Sequence, residues 1–135
     1  MDTHNQSTSK AARWAGYIMS GLVILFLLFD GGIKLVPLAI VTEASAQLGL
    51  PTSVEFARTL GILTLIGVVL YAVPRTSMLG AILLTGYMGG AMATHLRIGS
   101  PLFTHVLFGF YLGVLIWGGL YLRDPRLRQL IPFRR

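Results

Sequence analysis

The amino-acid sequence predicts an all-α integral membrane protein in which four transmembrane helices form a bundle. Three observations lead to this prediction. Hydrophobic residues make up 54% of the 135 residues and charged residues only 12%, about half the charged fraction of a typical soluble domain. The apolar residues fall into four runs, each long enough to cross a bilayer as a helix. The charged residues cluster between these runs, so most of each run is uncharged.

The four predicted spans cover about residues 14–36, 54–73, 78–96 and 102–122. A polar tail of residues 1–13 precedes them, and a basic tail of residues 123–135 follows. Pro37 ends the first span and Pro74 the second, because proline disrupts helical hydrogen bonding. The turn at residues 74–77 is short, so the second and third spans should be antiparallel neighbours. The prediction is therefore an up-down bundle.

The loop between the first two spans is predicted to contain a short amphipathic helix on the outer side of the membrane. Its apolar side chains recur at helical spacing: Leu38, Val41, Ala44 and Leu48. Gly49 and Pro51 then end the segment. Thr52 and Glu55 fit a capping box that opens the second span.

A signal peptide is the competing interpretation of the N-terminal region. Lys10 and Arg13 would be its basic segment, and Ala44-Ser45-Ala46 its cleavage site. That site lies far beyond the apolar run that ends at Phe29, whereas a signal peptide is cleaved soon after its apolar core. The sequence therefore favours a retained transmembrane helix.

The basic residues predict that both termini are cytoplasmic. In a four-span arrangement most of them share the side of the termini: Lys10, Arg13, Arg75, Arg123, Arg126, Arg128, Arg134 and Arg135. Three fall on the other side: Lys34, Arg58 and Arg97. Cytoplasmic loops carry the excess of Lys and Arg. Because the basic residues flank apolar segments instead of forming one polar face, membrane lipid is the expected partner and nucleic acid is not.

Small residues at four-residue spacing predict close helix contacts in three spans. Gly86 and Gly90 lie in the third span, Gly109 and Gly113 in the fourth, and Ala12, Gly16 and Ser20 form a stripe in the first. Such spacing allows helix backbones to approach closely in lipid. The alternative is that glycine is simply common in membrane helices.

Seven ionisable residues are expected at the outer end of the bundle: Asp30, Lys34, Glu55, Arg58, His95, Arg97 and His105. Asp30 and Lys34 are four positions apart, and Glu55 and Arg58 three, so each pair can meet on one helix face. Ionisable groups at membrane depth are expensive unless they are paired or face a hydrated cavity. The cluster therefore predicts an outward-facing polar pocket. The alternative is that each residue is an ordinary helix-end group, as when Lys34 extends to the head groups.

Roles in this pocket follow from residue type. The candidate acid–base residues are Asp30, Glu55 and His95, and the candidate ligand-binding residues are Lys34, Arg58, Tyr87, Met92 and His105. Met88 would join Tyr87 and Met92 in an apolar wall. No metal site is predicted, because His95 and His105 share no helix face with a further ligand. The sequence contains no cysteine, which excludes a dithiol relay within this chain.

Several short motifs together resemble the DoxX-like family of small bacterial four-helix membrane proteins. They are Phe29-Asp30-Gly31-Gly32-Ile33-Lys34-Leu35, the Leu-Gly-Leu-Pro stretch ending at Pro51, Glu55 with Gly61, and His95 followed by Pro101. The resemblance extends from Trp14 to Leu122 and implies a four-helix fold in the bacterial cytoplasmic (inner) membrane. Its functional positions would be Lys34 and Glu55. The family is linked to a membrane thiosulfate:quinone oxidoreductase and to thiol or oxidative-stress systems.

Three functional hypotheses follow. The first is a membrane protein that supports a quinone- or thiol-linked redox process, with a bound quinone and a membrane redox partner or a second copy of the chain. The second is an acid–base isomerase or cyclase of an apolar substrate, which requires Asp30 or Glu55 to be buried, unpaired and protonated. The third is a non-catalytic subunit of a membrane assembly.

Overall fold

The computed structural model of the protein describes residues 10–36 and 38–130. These residues form six α-helices and two short helical turns. The α-helices are α1 (Lys10–Ile33), α2 (Ala39–Gln47), α3 (Val54–Ala72), α4 (Ser77–Arg97), α5 (Phe108–Arg123) and α6 (Pro125–Leu130). A 3₁₀ turn at Pro74–Thr76 precedes α4, and a π-helical turn at Leu102–Val106 precedes α5. The described part of the chain is therefore all-α, as predicted.

Four helical segments in the described residues are long and apolar enough to span a membrane. They are Lys10–Ile33, Val54–Ala72, Pro74–Arg97 and Leu102–Arg123. Large apolar side chains cover their outer surfaces; Leu25 and Phe29 of α1, for example, are 67% and 68% exposed. Such surfaces suit lipid and not water. The protein is thus a multi-pass membrane protein.

Two helix boundaries differ from the predicted ones for local reasons. The first span ends at Ile33 and not at residue 36, because Lys34 and Leu35 form a turn in which Leu35 N–H bonds to Gly32 O. The predicted capping box is also shifted by one residue. Ser53, not Thr52, is the N-cap of α3, and its Oγ accepts a hydrogen bond from Phe56 N–H at 3.1 Å. Glu55 therefore has no reciprocal capping position.

The four long helices pack in a ring. α1 contacts α3 and α5, and α4 contacts the same two helices from the other side. The side chains buried between them form one core: Val23, Leu27, Val68, Tyr71, Ala81, Leu84, Met88, Leu112, Ile116 and Leu120, with Leu127 of α6 beneath them. The single turn Pro74–Thr76 joins α3 to α4, whereas residues 34–53, which include α2, join α1 to α3.

Glycine provides several of the closest contacts in this ring. A methyl group built on Gly16 would lie 2.9 Å from Gly119 O, and one built on Gly109 would lie 3.0 Å from Met88 O. Gly16 and Ser20 of the stripe, together with Gly109, thus make the helix contacts expected of them. Gly86, Gly90 and Gly113 do not, because a methyl group on each would meet nothing within 4 Å.

At the end of the bundle where α1 begins and α5 ends, a buried hydrogen-bond network joins three helices. We call this network of Ser20, Tyr71 and Arg123 the polar knot. Tyr71, fully buried, donates to Ile116 O at 2.6 Å. Because that bond uses the phenolic proton, the Ser20 hydroxyl donates to Tyr71 Oη at 2.9 Å. Ser20 Oγ in turn accepts a bond from Arg123 Nε at 2.9 Å.

Arg123 closes the polar knot with two further interactions. Its guanidinium donates to Tyr71 O at 3.2 Å and lies over the Tyr71 ring, 5.1 Å from the centroid. Cation–π stacking of this kind stabilises a desolvated arginine. Beside the knot, Asp124 forms a salt bridge of 2.8 Å with Arg126, which also donates to Pro74 O. The first residues of the predicted basic tail are thus built into the fold through α6.

Candidate functional site

The opposite end of the bundle contains a cavity of about 620 Å³, within the range of roughly 300–1,000 Å³ typical of small-molecule sites. We call this cavity the pocket. It lies between the ends of the four long helices and is covered by α2. Of the predicted site residues, the pocket is lined by Asp30, Lys34, Tyr87, Met92, His95 and His105. Met88, the other predicted wall residue, also lines it.

An ion pair on α1 supplies one polar corner of the pocket. Lys34 Nζ lies 2.7 Å from Asp30 Oδ2 and 3.4 Å from Asp30 O. Both side chains remain partly exposed, at 19% for Lys34 and 30% for Asp30. The four-residue spacing predicted this contact. The pair adds no net charge to the pocket, yet the ammonium group retains donor capacity and the carboxylate retains acceptor capacity for a ligand.

Two histidines supply a second polar corner. The rings of His95 and His105 meet edge to face, with centroids 5.6 Å apart. His95 Nδ1 lies 3.0 Å from Ser100 Oγ, and His105 Nδ1 lies 2.8 Å from Thr104 Oγ1. Within residues 10–36 and 38–130, no protein group hydrogen-bonds to either Nε2. Each ring can therefore offer that nitrogen to a ligand, as donor or acceptor according to its tautomer.

The turn between α4 and α5 brings these two histidines together. Gly99 has a φ of +74°, a left-handed conformation that glycine adopts without strain. The chain reversal at this point is closed by a bond from Ser100 N–H to His95 O at 3.0 Å. The π-helical turn Leu102–Val106 then carries His105 toward α4. Single π turns within helices are frequent at functional sites.

The body of the pocket is apolar and aromatic. Phe26 of α1 packs edge to face against Phe108 of α5, with centroids 5.2 Å apart. Tyr87 and Met92 form the facing wall from α4. No sequence signal marked Phe26 or Phe108, because an aromatic residue in an apolar span is most often directed at lipid. Their position makes a slot suited to a planar or chain-like apolar group.

Helix α2 forms the cover of the pocket. Three of the four apolar positions predicted for its buried face line the cavity: Val41, Ala44 and Leu48. Both of its flanking segments are held by arginines. Arg58 Nε donates to Leu35 O at 3.0 Å, and Arg97 donates to Leu48 O. Each arginine thus donates to a carbonyl just beyond a helix end, where the chain offers no helical N–H as a partner.

These contacts correct the predicted composition of the pocket. Glu55 and Arg58 were expected to line it, but neither does. Glu55 lies in the first turn of α3 with its side chain exposed. Arg58 instead donates a hydrogen bond to Leu35 O in the loop after α1, because that carbonyl has no partner within a helix. The pocket is also lined by Ser45, Thr94 and Thr104, three polar residues that the sequence did not single out as site residues.

The geometry can be compared with the requirements of metal binding and of acid catalysis. Among the described residues, no three His, Asp or Glu side chains gather closely enough to hold a metal ion. Acid catalysis by a protonated carboxyl requires Asp30 or Glu55 to be buried and unpaired. Asp30 is instead ion-paired and Glu55 is exposed. The arrangement best fits binding of a molecule with an apolar body and a hydrogen-bonding head.

Fold and site together define a multi-pass α-helical membrane protein with a ligand-sized pocket at one end of its bundle. The sequence model of the DoxX-like family matches residues 18–119, which begin within α1 and end within α5. The chain therefore belongs to the DoxX-like family, as its motifs indicated. No curated protein and no solved structure matches the chain.

Proposed function

We propose that this DoxX-like protein binds a membrane-soluble molecule with a polar head, and that a quinone is its ligand in a membrane redox process. The observation that carries the proposal is the pocket of about 620 Å³, whose apolar body ends in two hydrogen-bonding corners. A ligand of this shape places its head among Asp30, Lys34 and the two histidines. Its apolar part then lies against Phe26 and Tyr87.

The hydrogen-bonding groups suit both redox forms of a quinone. A quinone oxygen is an acceptor, and the Lys34 ammonium or an imidazole N–H can donate to it. A quinol hydroxyl is a donor, and Asp30 or an imidazole nitrogen can accept from it. Because the sequence contains no cysteine, electrons in a redox process must be carried by a bound group or by a partner protein. Histidine is also the side chain best suited to exchange protons near neutral pH.

The same proposal includes an orientation in the bacterial inner membrane. The end of the bundle with the polar knot carries most of the Lys and Arg residues, and cytoplasmic segments carry such an excess. Both termini would then be cytoplasmic, and the pocket would open in the outer half of the bilayer. A membrane redox partner would exchange electrons with the bound quinone, and a second copy of the chain would be a partner in a homo-oligomer.

Quinone binding by the purified protein in lipid nanodiscs tests the proposal. We expect a ubiquinone with a single isoprene unit to bind the parent, and Lys34→Ala to weaken it about tenfold, the equivalent of about 1.4 kcal/mol. His95→Ala should weaken it similarly, because both substitutions remove a hydrogen-bonding group from the pocket. Titration calorimetry measures the dissociation constants.

Two matched variants control for loss of charge alone. Arg75→Ala removes a cation from the far end of the bundle, and Glu43→Gln removes an anion from α2; neither residue lines the pocket. Both should bind like the parent. If the parent does not bind the quinone, or if Lys34→Ala and His95→Ala bind as well as the parent, the proposed function is wrong.

A further inference from the structure

Helices α3 and α4 are tightly packed at one end and separated at the other. Near the polar knot, a methyl group on Gly80 of α4 would overlap the backbone at Tyr71 of α3. One turn further, Gly67 of α3 packs against Leu84 of α4, and a methyl group there would lie 2.7 Å from Leu84 Cδ2. These contacts identify the faces by which the two helices meet.

The same two faces line the pocket at the other end. Residues seven apart lie almost two full turns apart on one helix face, so Tyr87 and Thr94 continue the face of Gly80, and Ala91 continues that of Leu84. On α3, Leu60 continues the face of Gly67. All four of these residues line the cavity. Since these faces no longer meet each other, the two helices leave a gap that is continuous with the pocket.

Glycine forms the outer edge of this gap on α4. Gly86 and Gly90 line the cavity and are exposed at the surface of the bundle. A methyl group on either would meet nothing within 4 Å. They are therefore not the helix contacts that their spacing predicted. The pocket reaches the surface over their backbone, at a height where the flanking side chains of α3 and α4 are apolar and exposed.

The side of the pocket that faces α2 is held by hydrogen bonds. Helix α2 covers it with Val41, Ala44 and Leu48, and the arginine contacts to Leu35 O and Leu48 O hold α2 at both ends. The gap between α3 and α4 has no such bonds across it at Gly86 or Gly90, since glycine carries no side chain. A ligand longer than the cavity can therefore extend between α3 and α4 without breaking a hydrogen bond between them.

We infer that the apolar tail of the bound molecule leaves the pocket between α3 and α4, over Gly86 and Gly90, and extends into the bilayer. This inference rests on the proposed function and adds to it the class of ligand. That class is a lipid-dissolved molecule whose head is held at the two polar corners and whose isoprenoid or acyl chain remains in contact with lipid. The gap then has a defined occupant, which is the chain of the ligand.

Leucine substitutions on α4 test this inference in lipid nanodiscs. Two probes are compared, a ubiquinone with a single isoprene unit and a ubiquinone with a full-length isoprenoid tail. Gly90→Leu and Gly86→Leu place a side chain in the gap, so each should weaken the long-tailed probe about tenfold. The short-tailed probe should bind within about twofold of the parent, because its head site is unchanged. The ratio of the two dissociation constants is the measured quantity.

Gly89→Leu is the matched control on the same helix. Gly89 is exposed, has nothing within 4 Å and does not line the pocket, so both probes should bind this variant like the parent. Melting temperatures of all three variants show whether each is folded; open space around each glycine predicts that they are.

Three results would overturn the inference about the tail without contradicting the proposed function. The first is unchanged binding of the long-tailed probe to Gly90→Leu and Gly86→Leu. The second is equal loss of both probes, which would mean that the substitutions act on the head site. The third is a change in oligomeric state, which would make the gap an interface between two copies of the chain. Failure of the parent to bind either probe would instead contradict the proposed function itself.

Discussion

The two ends of the bundle use polar residues in opposite ways. At the knot end, the side chains of Ser20, Tyr71 and Arg123 bond to one another and to backbone carbonyls, leaving little capacity for a ligand. At the pocket end, Lys34 and the two histidines are only partly satisfied and surround a cavity. Intramembrane polar residues therefore have to be judged by the capacity they leave free, because position at membrane depth alone does not separate a structural group from a binding group.

The largest expected difference between the two ends concerns two glycines of α4. Gly80→Ala should destabilise the protein by about 3 kcal/mol, because its methyl group would overlap backbone of α3 that has no flexible side chain to move. Gly90→Ala should leave stability unchanged or raise it slightly, since open space surrounds it and alanine is the better helix former. Thermal unfolding in a mild detergent measures both. Equal destabilisation by the two substitutions would mean that the helices do not separate as described.

A second difference concerns one basic residue at each end of the bundle, Arg123 in the polar knot and Lys34 in the pocket. Arg123→Met should destabilise by about 2 kcal/mol, because Ser20 Oγ and Tyr71 O each lose a donor in a buried setting. Lys34→Met should change stability by less than about 1 kcal/mol, because its partner Asp30 stays partly exposed to solvent. The same unfolding assay compares them. If Lys34→Met destabilised the protein more than Arg123→Met, the polar residues of the pocket end would contribute more to stability than those of the polar knot, contrary to this prediction.

The smallest expected effect is a pH dependence at the knot end. The hydrogen bond from the Arg126 side chain lowers the pKa of Asp124 below its ordinary value of 3.8. A lowered folded-state pKa means that the stabilisation is present above pH 3.8 and is lost as pH falls through the folded-state pKa. Asp124→Asn should therefore be less stable than the parent at neutral pH, by less than about 1 kcal/mol because Arg126 is exposed. The difference should disappear in acid.

Unfolding midpoints of the parent and Asp124→Asn across the acidic range check this prediction. A stability difference that grows as pH falls would contradict the predicted direction of the effect. Glu43→Gln is the control, because Glu43 on α2 is exposed and its loss should leave the pH dependence unchanged.

The parts of the fold that depend on local patterns could be predicted from the sequence. Apolar run lengths indicated the four spans, and helical spacing indicated the short helix α2, whose apolar side chains line the pocket. The contact between Asp30 and Lys34 followed from their four-residue spacing. In each case residues close in sequence decide the outcome, so a single chain contains the necessary information.

The parts that depend on pairing between distant segments could not be predicted. Ser20 and Arg123 are 103 positions apart and Tyr71 lies between them, with no shared motif. Spacing placed Arg58 on the same helix face as Glu55, but a free carbonyl on another segment determined its direction. The motif of Gly86 and Gly90 indicated that something could approach closely. The motif did not indicate whether a neighbouring helix or, as we infer from the gap, the chain of a ligand lies against these two glycines.

The large sequence separation between Ser20 and Arg123 in the polar knot has a consequence for biosynthesis. Ser20 is translated 103 residues before Arg123, its partner in the knot. Until Arg123 is made, the Ser20 hydroxyl and, once Tyr71 has been translated, the Tyr71 carbonyl lack the donor that they share in the finished protein. Completion of α5 supplies that donor, so a chain halted before that helix lacks the arginine that links α1, α3 and α5.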